Sequence, residues 1–227
     1  MELTNSTLHY NLVRSVIDKG YAPTQDELAH MFRCPRKRIT NRLEELAADH
    51  GVVLHPKSHE VWVIHPFSLA PTNFLVKAGN REWWGNCAWC SLGIAALLGK
   101  DATIRTTLGA NSHQVTIRIR NGEVQPADLY VHFPIPMKNA WDNVIYTCST
   151  MLVFENERQV SDWCAKHRIG KGDVQPITKV WEFSKVWYGN HLNPNWRKWT
   201  MKEVNTIFGK FNLKGPIWET PELAGRF

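Results

Sequence analysis

The sequence predicts an α+β protein whose first unit is winged-helix-like. Two observations predict it: apolar residues recur at helical spacing along the first segment, and two short β-rich runs follow at once. The length points the same way, since 227 residues exceed the roughly 150 of one ordinary domain and suit two small ones.

Leu8, Leu12, Val13, Val16 and Ile17 mark one face of a first helix. The loop Gly20-Tyr21-Ala22-Pro23-Thr24-Gln25-Asp26-Glu27 ends in a Thr-x-x-Glu capping box, in which Thr24 accepts from the backbone of Glu27 and Glu27 reaches back. A second helix therefore starts at Thr24 and carries Leu28, Met31 and Phe32; a third carries Ile39, Leu43, Leu46 and Ala47. Val52-Val53-Leu54 and Val61-Trp62-Val63-Ile64, joined by a polar turn at residues 55–59, read as a hairpin.

The third helix is read as carrying Arg33, Arg36, Lys37, Arg38 and Arg42, residues a recognition helix would use on a DNA groove. The same helix runs on into Glu44, Glu45 and Asp49, and residues 1–65 hold eight basic and eight acidic groups. The net charge of +6 therefore lies outside this unit, and the electrostatic part of nucleic-acid affinity is weak there. No nucleic-acid partner is expected, and a metal-responsive DNA-binding regulator stands as the last of three readings.

Apolar residues make up 43% of the chain, enough for a packed core, so a disordered or fibrous chain is excluded. Five cysteines are too few and too odd a number for a secreted disulfide scaffold, and Met1-Glu2-Leu3-Thr4-Asn5-Ser6 lacks the basic and apolar regions of a signal peptide. The expected location is the cytoplasm, with reduced thiols. The apolar run at residues 92–98 is about a third of a membrane helix, so no membrane partner is expected.

The chemistry concentrates in Trp83-Trp84-Gly85-Asn86-Cys87-Ala88-Trp89-Cys90-Ser91-Leu92-Gly93-Ile94-Ala95-Ala96-Leu97-Leu98-Gly99. Asn86 is a good N-cap and Gly99 a good C′ residue, which places a helix between them with Cys87 and Cys90 in its first turn, partly exposed. The i, i+3 spacing puts both sulfurs on one face, and the free N–H groups there favour thiolates. Four readings remain open at this point: a dithiol redox pair, half a zinc site, a soft-metal site completed elsewhere, and two buried core cysteines. A structural zinc site needs a second close pair, which Cys148 and Cys164 do not supply.

This segment resembles the organomercurial (alkylmercury) lyases, whose helix reads Cys-x-x-Asp followed by a Leu-rich run ending in Gly. Aligned on Gly99, the family's first catalytic Cys falls on Cys87, and its catalytic Asp falls on Cys90. The resemblance continues in Ala102-Thr103-Ile104-Arg105 and Gln114-Val115-Thr116-Ile117, which match two strands, and in Tyr146-Thr147-Cys148-Ser149, where Cys148 matches the second catalytic Cys. Met151-Leu152-Val153-Phe154, Asp162-Trp163-Cys164-Ala165-Lys166-His167, Pro23-Thr24 with Glu27-Leu28-Ala29, and His65-Pro66-Phe67-Ser68 with Pro71-Thr72 extend it over roughly residues 20–192.

The resemblance implies a mixed or antiparallel sheet with flanking helices behind the winged-helix-like unit. Residues 1–66 form the first unit, 67–192 the lyase-like one, and 193–227 an added Trp-rich extension with a helix near 200–211 that packs by its aromatics. It implies protonolysis of a carbon–mercury bond to hydrocarbon and Hg(II), with Cys87, Cys90 and Cys148 as both catalytic and metal-binding residues. No cofactor is required; the metal, Hg(II) or another soft ion, is substrate and product. The partners implied are a small organometallic substrate and, as acceptor of Hg(II), cellular thiols or a mercuric reductase. The chief alternative is a non-catalytic three-thiolate protein that sequesters soft metal.

Cys164 and Cys34 are expected in the core, and His113 and His132 as ordinary surface or hydrogen-bonded groups. Trp83, Trp84 and Trp89 are expected to pack around the helix, with walls for an organic group as their second use.

Overall fold

The structure is a computed structural model and describes residues 2–111 and 113–220. Three helices open the chain: α1 (Asn5–Lys19), α2 (Gln25–Phe32) and α3 (Arg36–Ala48). Thr24 caps α2 as the sequence predicts, its hydroxyl accepting from Glu27 N at 3.2 Å while the Glu27 carboxylate takes Thr24 N at 2.7 Å. The α2 helix then stops at Arg33, which sits in the left-handed region at φ 52°, and Pro35 precedes α3. Arg33 is therefore a cap between two helices and not part of the third, a correction to the basic-helix reading. Arg36 is tied to Asp26 at 2.7 Å, so part of that basic surface is neutralised within its own unit.

Strands β1 (Val53–Leu54) and β2 (Val61–Ile64) pair antiparallel, which gives the expected hairpin. The hairpin does not end there. β2 continues through β3 (Phe67–Ser68), β5 (Arg81–Gly85) and β4 (Leu75–Ala78) into β6 (Ala102–Thr107), β7 (Gln114–Arg120) and β8 (Glu123–Gln125). One eight-stranded antiparallel sheet thus runs from the hairpin to the far edge. A second sheet sets β9 (Tyr130–Phe133) between β10 (Val153–Phe154) and β11 (Asp173–Pro176), again antiparallel.

The helix α4 (Ala88–Leu98) lies between the large sheet and α7 (Ile177–Tyr188). It is apolar all round because it is covered all round, and most of its residues are buried. Helices α5 (Val144–Thr150) and α6 (Glu157–His167) flank the smaller sheet, and α8 (Met201–Lys210) packs on α7 with Phe208 stacked against Trp187 at 5.9 Å. A capping box of Thr200 and Glu203 opens α8, which matches the helix expected near residues 200–211.

One continuous apolar cluster runs from Leu3 to Trp218. The first three helices are joined to it by named bonds: Trp83 Nε1 donates to the Val16 carbonyl at 2.8 Å and Arg81 to that of Ile17 at 2.7 Å, satisfying carbonyls near the end of α1. Among the described residues no helix is long and apolar enough to cross a membrane. Residues 221–227 of the C-terminal extension lie outside the description.

Candidate thiol site

The β5 strand delivers the chain to the start of α4, where Cys87, not Asn86, is the N-cap. The physical reason is visible in Asn86, whose amide is used elsewhere: it donates to His65 Nε2 at 3.2 Å. Cys87 Sγ takes the cap's role instead and accepts the Cys90 N–H at 3.2 Å. The two sulfurs do share the first turn.

Their expected partial exposure is corrected. Cys87 and Cys90 are 0% and 1% exposed, because the segment after α5 covers the helix end and the Met151 carbonyl accepts Ala88 N at 3.1 Å. Burial here is not core packing alone, since both sulfurs face a small cavity of about 60 Å³ that Cys148 also lines. Cys148 reaches it from α5, an element more than fifty positions further along the chain.

Two side chains that no sequence spacing singled out complete the cluster. His65, from the end of β2, faces Cys148 Sγ with its Nε2 at 3.8 Å. Tyr188, the last residue of α7, places its hydroxyl 3.3 Å from Cys90 Sγ. The donor atoms of His65, Cys90 and Cys148 lie within 4.8 Å of one another, a spacing at which one ion can be held. Cys87 stands beside them, its thiol directed at Met151 Sδ at 3.4 Å and in hydrogen-bonding relation with Cys90 and Cys148. His65 lies in the lyase-like stretch His65-Pro66-Phe67-Ser68, whereas Tyr188 falls within the span of that resemblance but in none of its motifs.

The three sulfurs do not titrate alike. Burial pushes the Cys90 thiol up, but hydrogen bonds from Cys148 and Cys87, with those of Tyr188 and any charge on His65, outweigh it and leave Cys90 well below the ordinary thiol range. Burial drives Cys87 well up, and the negative Cys90 adds to it. For Cys148 the bond with Cys87 pulls down, while the bond to Cys90, burial and the Cys90 charge together carry it well up. Cys90 is therefore the most readily ionised of the three sulfurs, and Cys87 and Cys148 hold their protons more tightly. Burial also raises Tyr188 well above the usual phenol, so it keeps its proton and donates it to Cys90. Burial lowers His65, which is then neutral and free to use Nε2 as an acceptor.

The cavity walls are aromatic and apolar, and no carboxylate lines it among the described residues. Trp89 is part of that wall and stacks on Phe183 at 4.6 Å. Trp83 instead packs between the sheet and α1, and Trp84 does not line the cavity. Cys164 is buried on α6 against Gly170 and His132, away from the cluster, and Cys34 packs partly buried at the edge of the core. His132 hydrogen-bonds the Lys171 carbonyl at 2.6 Å and His113 is exposed, so neither joins the site.

Gly93 fixes the distance between α4 and the Tyr188 ring: a Cβ there would run into ring carbons Cδ2, Cε2 and Cγ. In an open helix Gly93→Ala would gain about 1 kcal/mol, but overpacking costs about 1–3 kcal/mol. The expected outcome is a lower urea midpoint, together with a raised Cys90 thiol pKa as Tyr188 is pushed from it. A stabilised variant with unchanged thiol titration would show that the two helices give way freely.

Fold and site together define an α+β protein with a buried cluster of soft donors spaced so that one ion can be held. The family model of alkylmercury lyase matches residues 67–189, which is more than half of the chain, and the chain belongs to that family. A solved structure described as the mercury-bound form of MerB2 has the same fold, with a TM-score of 0.65 at 18% identity. The match covers 85% of this chain and 91% of that one.

Proposed function

We propose that this protein cleaves the carbon–mercury bond of organomercurials by protonolysis, with the proton supplied by its own thiols. The observation that carries the reading is the convergence of Cys87, Cys90 and Cys148 on one cavity, with the donor atoms of His65, Cys90 and Cys148 within 4.8 Å of one another. A soft d¹⁰ cation prefers thiolate, and Cys90 offers one. The Cys90 thiolate displaces the thiolate that carries R–Hg⁺ in solution, giving a neutral R–Hg–Sγ adduct. Cys148 Sγ then binds the metal and gives up its proton. That proton takes the electron pair of the breaking carbon–mercury bond, so the products are R–H and Hg(II) held by Cys90 and Cys148.

No separate carboxylic acid is needed for this balance, which suits a site where Cys90 stands at the position of the family's Asp. Cys87 is the third sulfur, beside both others, and holds or relays the product ion. Hg(II) then passes by exchange to small thiols or a mercuric reductase in the cytoplasm. A second reading, sequestration without cleavage, is favoured by the His65, Cys90 and Cys148 cluster, because a third donor slows release of the bound ion.

Methylmercury incubated with the protein and excess small thiol is expected to release methane, read in the headspace by gas chromatography. No methane from the native chain, with methane from Cys90→Asp, would replace the lyase reading by sequestration.

A further inference from the structure

The family match ends at residue 189, yet one wall of the thiol cavity is built beyond it. Trp196, Arg197, Lys198 and Trp199 all line the cavity that holds the three sulfurs. We propose that the segment Trp196–Trp199 is a fixed cap that sets substrate size, admitting small alkylmercury cations and refusing arylmercury ones; the proposal rests on the lyase reading for its substrate class.

The cap is anchored from several sides, which is what a size limit requires. Trp196 is buried and stacks on the His9 ring of α1 with centroids 3.5 Å apart and planes 6° apart. Trp199 donates its Nε1 proton to the Trp187 carbonyl of α7 at 3.2 Å. Lys198 Nζ lies 4.3 Å over the Trp141 ring, a cation–π contact from the cap to the segment before α5. Arg197 is held by both Glu203 oxygens, at 2.6 and 2.8 Å, and so to the first turn of α8.

Size then decides the organic group. A cavity of roughly 150 Å³ is what a benzene ring occupies in a protein interior. The space here is about 60 Å³, so a methyl or ethyl group fits and a phenyl ring requires Trp199 or Trp196 to leave. Because the walls are close-packed and the cap is pinned, that movement is costly.

The test offers the protein equal amounts of methylmercury and phenylmercury thiol adducts. It reads two things: the masses bound to the intact protein by native mass spectrometry, and methane against benzene released. The native chain is expected to favour methyl over phenyl by about 100-fold, within the range that pocket size alone achieves. Trp199→Ala, and Trp199→Leu should the first fold poorly, are expected to raise the phenyl-to-methyl ratio at least about tenfold, a change of about 1.4 kcal/mol. Equal binding of both by the native chain, or a ratio unmoved in a folded variant, would overturn the cap. Selective methylmercury binding with no hydrocarbon from either compound would keep the cap and remove the lyase reading.

Discussion

Cys148→Ser is expected to abolish carbon–mercury cleavage, with kcat/KM for methylmercury falling by roughly three orders of magnitude or more. Removal of one member of a catalytic unit commonly costs that much, since the remaining members cannot complete the reaction alone. Two losses coincide at this sulfur. The hydroxyl is a hard, weakly acidic group that neither binds a soft cation well nor gives its proton to carbon near neutral pH. Serine is nearly the size of cysteine, and Cys148 lies on a short helix whose Asn143 cap is untouched, so folding should survive. Cys90→Ser is expected to fail earlier, at capture, because it removes the thiolate; Cys148→Ser should still take up R–Hg⁺ as a one-sulfur adduct. Methane release and intact mass separate the two. More than a tenth of native activity in Cys148→Ser would move the proton donor to Cys87, the only other high-pKa sulfur in the cluster.

What the sequence made legible was local. The Thr24 and Glu27 box, the Val53 and Val63 pairing, and Gly99 in the left-handed region closing α4 each depend on residues a few positions apart. The Cys87 and Cys90 pair was visible for the same reason. Cys148 could be joined to it only through family resemblance, because nothing local in Tyr146-Thr147-Cys148 points back to α4. His65 and Tyr188 were missed because tertiary contact alone brings them in, one from the end of a strand and one from the last turn of α7. The misassigned N-cap has the same origin: Asn86 has the better intrinsic propensity, but a long-range bond to His65 occupies its amide.

Exposure was misjudged for a related reason. A helix start is usually open to solvent, and dipole and free N–H groups would then lower both thiols. Here Met151 covers that end and the sulfurs are buried, so burial and hydrogen bonds among the sulfurs and Tyr188 set the balance of charge. The result is that Cys90 alone is lowered where the open helix end would have lowered both. In the proposed mechanism this asymmetry assigns capture to Cys90 and leaves the proton on its neighbours.

Acidification is expected to destabilise the protein well before its carboxylates titrate. His9 and His191 are both buried and pack against Trp196 of the cap, and His9 Nδ1 has no hydrogen-bond partner among the described residues. Burial first, then repulsion from Lys198 and from any proton His65 gains, holds His191 down to about 3, against a smaller opposing bond from the Tyr188 backbone. Burial first, then repulsion from any proton on His191, from Lys198 and from any proton on His65, holds His9 well below its ordinary value. Above pH 6.5 neither the folded nor the unfolded chain protonates these rings to any extent. Between 6.5 and about 3 the unfolded chain takes up a proton on His191 and the folded chain does not, so stability falls as the pH falls. Each pH unit well inside that window costs about 1.4 kcal/mol through His191, which amounts to about 2 kcal/mol between pH 7.5 and 5. His9 acts in the same direction. The Arg197 to Glu203 pair adds little between pH 7.5 and 5, because its hydrogen bonds hold Glu203 down to about 2 and the unfolded carboxylate takes up its proton only near 4.5, below that range. Urea unfolding at the two pH values measures the difference, and His191→Gln is expected to shrink it by about 2 kcal/mol. Equal stability at pH 7.5 and 5, or a His191→Gln variant with the native pH dependence, would mean that the folded protein protonates these rings by letting the Trp196 cap open.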